Sequence, residues 1–216
     1  MEPYQLIYCD PPWQYSNKAS RGAAVNHYPT MSLTELTRLP VQDIAAEDAI
    51  LVMWYTGNFA LEAIRLSEAW GFDVRTMKGF TWVKLNQLAE KHTTKALRGL
   101  QELGPLDYSD FLHLLNDQTR MNGGNYTRAN TEDALIAVRG KGLERLDASV
   151  KQVVYAPLGK HSAKPDEVRE RLNRLYGMVN RIELFARQSI ADWDTWGNQA
   201  PCNSIELSPS TFRIKS

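Results

Sequence analysis

The sequence predicts an α/β protein in which helices flank a mixed, mostly parallel β-sheet. The short apolar run Leu6–Cys9 has the character of a first strand, and the continuous apolar run Ala49–Trp54 is typical of a strand covered on both faces. The segment Phe59–Trp70 then repeats apolar residues at helical spacing, and Phe72–Lys84 is β-like. Strand, helix and strand in alternation indicate an α/β sheet.

The first helix is predicted over Leu33–Leu39, where Ser32 and Glu35 have the spacing of a capping box. Pro40 limits this helix, and Gly71 is a natural stop for the helix that follows Phe59. These local signals support the same α/β assignment.

The polar stretch Leu85–Met121 interrupts the alternation. It holds two predicted helices, about 87–103 and 109–117, divided by Gly104-Pro105. We therefore expect one domain over residues 1–200 with a helical insertion at about 87–120, followed by a loosely held tail over 201–216. The remaining predicted elements are strands at 134–138 and 152–155, a helix from Pro165 to Tyr176, and a last strand at 181–185.

Composition narrows the functional classes. The 216 residues are 43% hydrophobic and carry a formal net charge of zero, so nucleic-acid contacts would have to come from a local basic patch. Cys9 and Cys202 have no metal-type or redox-type spacing. No apolar run approaches the ~20 residues that cross a bilayer, and the first residues lack the pattern of a signal peptide, so we expect a cytoplasmic protein.

The most informative motif is Asp10-Pro11-Pro12-Trp13, directly after the first predicted strand. The Asp10 carboxylate and the Pro11 carbonyl are two acceptors that could orient the exocyclic amine of adenine, a poor nucleophile until its lone pair is localised. Consecutive prolines stiffen the turn, and Trp13 offers a face for a base. The alternative is a simple strand-to-loop turn with Trp13 as a core aromatic.

A methyl donor would need a second site, for which S-adenosylmethionine is the usual cofactor. The Gly-rich turn of dinucleotide-binding folds is absent, because Ala186-Arg187 follows the last strand. Chemistry alone leaves Glu183, Arg187 and the pair Asn198-Gln199 as candidates, with an ordinary surface salt bridge and turn as the alternative.

Nine short motifs occur along the chain in a recognisable order. They are Asp10-Pro-Pro-Trp, Tyr28-Pro-Thr-Met-Ser, Trp54-x-Thr-Gly, Trp70-Gly-Phe, Trp82-Val-Lys, Tyr126-Thr-Arg, His161-Ser-x-Lys-Pro-Asp-Glu, Ile182-Glu-Leu-Phe-Ala-Arg and Trp193-Asp-x-Trp-Gly-Asn-Gln. In this order the chain resembles the MT-A70 family of adenine N(6)-methyltransferases. That family includes the catalytic subunit of the eukaryotic messenger-RNA adenosine methyltransferase and bacterial and phage DNA enzymes. The resemblance covers about Tyr4 to Gln199 apart from the insertion.

The resemblance implies a Rossmann-like class I methyltransferase fold, circularly permuted so that the catalytic motif precedes the cofactor-binding segments. It also implies S-adenosylmethionine as the cofactor, with Arg187 and the Asn198-Gln199 pair facing its ribose and adenine. The residues it assigns to the cofactor pocket are Asp10, Lys164, Glu183, Leu184, Phe185, Arg187, Asn198 and Gln199. The chain departs from the family at Gln188–Asp192, where eukaryotic members carry further ligands, and at Ala163, where bacterial relatives often have Arg.

The expected reaction is a direct in-line methyl transfer, in which the amine loses its proton to Asp10 or solvent and no histidine base is required. A duplex substrate would have its adenine flipped out into a slot formed by Trp13 and Tyr15. The expected catalytic residues are Asp10, Pro11, Pro12 and Trp13, the expected substrate-binding residues are Trp13, Tyr15, Tyr126 and Arg128, and no metal site is expected. His27 and His161 are interpreted as structural or phosphate-facing.

The favoured substrate is DNA, because the chain is compact and carries no attached RNA-binding modules. An RNA adenosine methyltransferase and a non-catalytic nucleic-acid-binding subunit are the alternatives. By elimination, the insertion at 87–120 is the candidate for target recognition, with homodimer formation as its alternative role. The basic residues that could contact phosphates are Lys18, Arg21, Lys84, Lys91, Lys95, Arg98, Arg120 and Arg128.

Overall fold

A computed structural model describes residues 2–14, 29–120, 123, 126–159 and 163–208. In chain order the elements are β1 (Tyr4–Cys9), α1 (Leu33–Thr37), α2 (Val41–Ile44), β2 (Ala45–Tyr55), α3 (Ala60–Ala69), β3 (Asp73–Leu85), α4 (Ala89–Leu103), α5 (Tyr108–Asp117), β4 (Thr131–Arg139), β5 (Val153–Pro157), α6 (Asp166–Tyr176), β6 (Arg181–Leu184) and β7 (Asp194–Trp196). A 3-10 turn over Gly57–Phe59 leads into α3. The strands form one sheet in the order β5-β3-β4-β2-β1-β6-β7.

The strand pairings confirm the predicted mixed, mostly parallel sheet. Strand β1 is parallel to both β2 and β6, β6 is parallel to β7, and β3 is parallel to β5, whereas β4 runs antiparallel to β2. In this register Cys9, the last residue of β1, lies beside Met53 and Leu184. The residues that follow β1 and β6, Asp10 and Phe185, therefore leave the sheet at the same edge, where ligands bind in open α/β sheets.

The chain divides into two compact units. The first comprises Met1–Gly79, Asp133–Val150 and Leu172–Ser216, and the second comprises Phe80–Glu132 and Lys151–Arg171. The single-domain organisation with an insertion at about 87–120 stays a prediction. In the described ranges, no helix is long and apolar enough to cross a membrane.

The core of the first unit is built on β1 and β2. Strand β1 is central in the sheet, and Leu6, Ile7 and Cys9 are fully buried, as expected for a strand covered on both faces. Two buried tryptophans are accommodated because their indole N–H groups have acceptors. Trp54 donates to the Tyr8 hydroxyl at 2.6 Å, and Trp70 donates to the Leu36 carbonyl at 3.0 Å.

Helix α1 begins with the predicted capping box. The Glu35 N–H donates to Ser32 Oγ at 3.3 Å, and the Ser32 N–H donates to Glu35 Oε2 at 2.7 Å. The Ser32 hydroxyl, which donates to Glu35 Oε2 at 2.7 Å, and the Ser32 N–H together lower the pKa of the Glu35 carboxyl, because they stabilise its charged form. The helix ends at Thr37 rather than at the predicted Leu39, since the Arg38 N–H already donates to the Glu35 and Leu36 carbonyls as a cap.

The segment 201–208, which was expected to be loosely held, packs against the core. Ile205 and Leu207 are buried with the hydrophobic cluster of the first unit. The Ser204 N–H donates to the Thr195 carbonyl at 2.8 Å, and Gly197 donates to the Asn203 side chain at 2.9 Å. Polar composition concealed two apolar anchors that hold this segment beside β7.

In the second unit, β3 and β5 pair in parallel, and the Trp82 indole donates to the Ala156 carbonyl at 2.9 Å. Both predicted helices of the polar stretch are present as α4 and α5. Helix α5 has its own capping box, in which Asp107 and Asp110 exchange bonds of 2.9 and 3.1 Å. It buries little beyond Leu114 and leaves Tyr108 and Phe111 exposed.

Candidate active site

The Asp10-Pro11-Pro12-Trp13 motif forms a tight turn at the end of β1. The Trp13 N–H donates to the Pro11 carbonyl at 2.8 Å, and the Met31 N–H donates to the Pro12 carbonyl at the same distance. The Pro11 carbonyl thus already accepts one bond inside the turn, and Pro11 itself is buried. Residues 29–31, which sequence reasoning did not connect with the turn, hold it in place through this bond to Met31.

Trp13 lies in the hydrophobic core. The residue is only 7% exposed. Its indole N–H donates to the Trp54 carbonyl at 3.2 Å, and its ring stacks on Phe59 with centroids 5.4 Å apart. One face of the indole is therefore occupied by a neighbour. This packing agrees with the core-aromatic alternative for Trp13.

A cleft in the first unit brings together residues from distant parts of the chain. It offers about 370 Å³ of space, open solvent included. Six of the predicted site residues line it, together with Pro29, which the sequence did not predict. The lining residues are Asp10, Pro12, Pro29, Phe185, Arg187, Asn198 and Gln199.

Inside this cleft, Asp10 and Arg187 form an ion pair. Arg187 Nη2 lies 3.4 Å from Asp10 Oδ2, and each side chain is 19% exposed. Partial burial strengthens such a pair relative to one in bulk water. The guanidinium donates to the carboxylate and so limits where its oxygens can lie. Sequence reasoning placed both residues at the site but did not predict that they pair.

The close approach of the backbone at Phe185 explains why the Trp-Gly-Asn-Gln motif contains a glycine. Phe185 has a φ of 59°, in the left-handed region, and its ring contacts Trp196 edge-on at 5.5 Å. A Cβ on Gly197 would lie 2.8 Å from Phe185 Cα and 2.9 Å from the Ala186 nitrogen. Glycine is required there because the chain after β6 and the chain after β7 approach too closely for a side chain. This contact positions Asn198 and Gln199 beside Phe185 and Arg187.

The other predicted residues on β1 and β6 lie beneath the cleft. Glu183 and Leu184 are both buried in β6. Burial raises the pKa of the Cys9 thiol well above its ordinary value, and the Asp10 and Glu183 carboxylates raise it further. Cys9 is thus held as a neutral thiol, which argues against a cysteine nucleophile.

Lys164 lies in the second unit, in a buried cluster that the sequence did not predict. Its Nζ is 3.0 Å from Glu132 Oε1, and Lys84 Nζ is 2.8 Å from Glu132 Oε2. Lys84 also lies over the Trp82 ring, 5.2 Å from its centroid. Burial alone would raise the pKa of Glu132, but the Lys164 and Lys84 ammonium groups lower it below its ordinary value.

The structure describes only some of the residues predicted to bind substrate. Tyr126 is fully exposed, Arg128 is exposed as well, and neither lines the cleft. Tyr15, His27 and His161, together with Lys18 and Arg21, lie outside the described residues. Among the residues that are described, no group of His, Cys, Asp and Glu side chains could hold a metal ion.

Comparison with known proteins identifies related sequences. The MT-A70 family model matches residues 4–102 and 112–199, leaving out the end of α4, the turn after it and the beginning of α5. The chain is 32% identical to the Type II methyltransferase M.MunI of Mycoplasma sp, over 94% of this chain and 81% of that protein. It is 24% identical to the human N(6)-adenosine-methyltransferase catalytic subunit METTL3 and 25% identical to the human N(6)-adenine-specific methyltransferase METTL4, in each case over 91% of this chain. It spans only 28% and 37% of the length of these two human proteins.

Proposed function

This chain belongs to the MT-A70 family and has a methyltransferase fold, and from that premise we propose that it methylates N(6) of adenine in DNA with S-adenosylmethionine. The observation that carries the proposal is the cleft in which Asp10 faces Arg187 beside Phe185, Asn198 and Gln199. Three segments separated by up to 189 positions supply one acceptor, one cation and two amides at a sheet edge suited to ligands.

The residues of the cleft fit S-adenosylmethionine. The side-chain amides of Asn198 and Gln199 can both donate and accept hydrogen bonds, as an adenine edge or a ribose requires. The Phe185 ring supplies apolar surface, and the glycine at 197 lets these groups stand close together. When bound, the cofactor supplies an electrophilic methyl group on a sulfonium. The permuted order of the catalytic and cofactor segments belongs to the same proposal.

Asp10 orients the target amine. Its carboxylate accepts one N–H of the adenine amine, and the Pro11 carbonyl, which also accepts the Trp13 N–H, accepts the other. Two acceptors on one amine favour a tetrahedral nitrogen, whose lone pair then points away from them. After the new N–C bond has formed, the nitrogen is positively charged, and it releases one proton to Asp10 or to water.

Arg187 is assigned a positioning role toward Asp10. Because the pair is only partly exposed, the guanidinium restricts where the carboxylate oxygens can lie. The packed Trp13 contributes by fixing the turn through its contacts with Phe59 and Trp54. In this account the target base is flipped into the cleft mouth and Trp13 forms the wall behind the turn.

DNA is favoured over RNA by the pattern of similarity. The chain is 32% identical to the Type II methyltransferase M.MunI and 24% identical to METTL3. The alignment covers 81% of M.MunI but 28% of METTL3.

The test is transfer of a labelled methyl group from S-adenosylmethionine to three matched substrates by the purified full chain. We expect label in N(6)-methyladenine of duplex DNA, with less in single-stranded DNA and in RNA of the same sequence. Transfer confined to RNA would reject the choice of DNA. Cofactor binding by calorimetry without transfer to any substrate would reject catalysis and favour a nucleic-acid-binding subunit.

A further inference from the structure

Helix α4 has two different faces. Ala89 is buried, and Thr93, Ala96, Leu97 and Leu100 are partly buried along one side. On the opposite side Lys91, Lys95 and Arg98 are all exposed. These three residues, here termed the basic stripe, are one helical turn apart in succession and therefore share one face. The helix thus rests on its apolar side and presents a row of cations to solvent.

The cations of the basic stripe differ from five arginines elsewhere in the chain that have side-chain partners. Within the part of the chain that the structure describes, Lys91, Lys95 and Arg98 form no ion pair and no side-chain hydrogen bond. In contrast, Arg169, Arg171, Arg174, Arg181 and Arg187 each bond to a carboxylate or to a backbone carbonyl. Glu90 and Glu102 lie at the two ends of the row, so the stretch from 91 to 98 is purely cationic. Three unpaired like charges within two turns repel one another unless an anion approaches.

The dimensions suit a nucleic-acid backbone. From Lys91 to Arg98 the axial rise is about 10 Å, and the whole helix is about 22 Å long. Duplex DNA carries one negative charge per about 1.7 Å of its axis, so three cations over that distance meet several phosphates. A helix about 10–12 Å across also fits the major groove, which is about 12 Å wide.

A concave surface lies at the beginning of α4. It offers about 670 Å³ of space, open solvent included, and is lined by Asn86, Gln87, Leu88, His92, Arg120 and Leu158. Backbone hydrogen bonds fix its frame: Asn86 donates to the Gln118 carbonyl at 2.9 Å, and Leu158 donates to the Leu85 carbonyl at 3.1 Å. Asparagine and glutamine amides are suited to adenine edges, and arginine to guanine.

We propose, on the basis of the function proposed above, that α4 is the helix that docks on duplex DNA and sets the target sequence. The basic stripe contacts phosphates of the backbone, and the concave surface around Arg120 contacts base edges of the duplex. Phosphate contacts position the protein on the duplex, whereas base-edge contacts select the sequence.

The phosphate part is tested with the triple variant Lys91→Gln, Lys95→Gln, Arg98→Gln. Glutamine is a good helix former at exposed positions, so α4 should persist. We expect the slope of log affinity against log salt to become shallower by about 2.7, and KM for DNA to rise about 10- to 100-fold while kcat at saturating DNA is retained. The matched control Arg65→Gln, Lys141→Gln, Arg145→Gln removes the same charge from exposed, unpaired residues of the first unit and should change neither quantity.

The sequence-reading part is tested with Arg120→Gln by mapping methylated adenines in DNA exposed to the enzyme. We expect a relaxed base preference at one flanking position, with the salt slope changed by less than 1. A triple variant with an unchanged salt slope, or an Arg120 variant with the wild-type methylation profile, would overturn the corresponding assignment. Equilibrium DNA binding is measured separately from methyl transfer, so a failure of the proposed catalysis would not be mistaken for a failure of docking.

Discussion

The cleft after β1 and the helix α4 hold their charges in opposite ways. In the cleft, Asp10 and Arg187 are mostly buried and paired with each other, although 177 positions separate them in the chain. On α4, three cations are exposed, close in sequence and unpaired within the described residues. Transfer to a single atom requires catalytic groups that tertiary contacts hold in place. Binding a row of phosphates requires only exposed cations, whose side chains can adjust to the nucleic acid.

The largest effect on stability is expected where the catalytic turn meets the core. Trp13→Ala removes a buried indole, its stacking on Phe59 and its bond to the Trp54 carbonyl. We expect the free energy of unfolding to fall by about 3–5 kcal/mol, measured by chemical denaturation. Trp13→Phe keeps part of the packing and serves as the conservative control. A fully stable Trp13→Ala variant with weakened substrate binding would instead support an exposed stacking role.

The second prediction concerns Glu132, which is buried in the second unit between Lys84 and Lys164. Its folded-state pKa is lowered, so the stability it contributes is present above its unfolded pKa of about 4.3 and is lost as pH falls through the lower folded value. Glu132→Gln leaves Lys84 and Lys164 without their shared carboxylate, at a cost of about 3 kcal/mol at pH 7.

The measurement for Glu132 is stability against pH for wild type and variant. The gap between the two curves should narrow below about pH 4, because the wild-type carboxyl becomes protonated and resembles the amide. A gap that stays constant from pH 7 to pH 3 would contradict the assigned role of this carboxylate. Lys78→Gln, which affects an exposed 3.8 Å pair with Asp133, is the matched control and should have little effect.

The features that could be predicted from the sequence are those that depend on local residues, whereas those that depend on distant contacts could not. Signals that act over a few residues were confirmed: the apolar runs of β1 and β2, the Ser32 capping box, and both helices of the polar stretch. The strand at 134–138 was predicted, but not its antiparallel pairing with β2. The three-residue β7 and the anchoring of 201–208 by Ile205 and Leu207 were missed, because their cause lies in distant partners.

At the site, the motifs predicted which residues line the cleft but not how they interact. The Asp10 to Arg187 pair, the support that Met31 gives to the turn, and the close approach at Gly197 all depend on tertiary packing. The Glu132 cluster had no signal in the sequence, since a single glutamate in a strand of ordinary composition does not reveal two distant lysines.

The smallest predicted effects concern the capping residues of α1 in the first unit and α5 in the second. Ser32→Ala and Asp107→Ala each remove a capping side chain worth about 1 kcal/mol. Helix α1 buries Leu36 in the core and accepts a bond from Trp70, so its loss should lower global stability. Helix α5 buries little beyond Leu114, so hydrogen exchange should rise in α5 while the global Tm is unchanged. Equal global effects of the two variants would contradict this distinction.

The central claim is that the Asp10 carboxylate orients the amine that receives the methyl group. It is tested most directly by single-turnover methyl transfer to duplex DNA with wild type and Asp10→Asn, at saturating S-adenosylmethionine and with cofactor binding measured in parallel. Asparagine keeps the shape of the side chain but can present only one acceptor oxygen and loses the charge that Arg187 pairs with. The account predicts a rate lower by about 10²- to 10³-fold with an unchanged Tm. A variant that transfers methyl groups at the wild-type rate would contradict it.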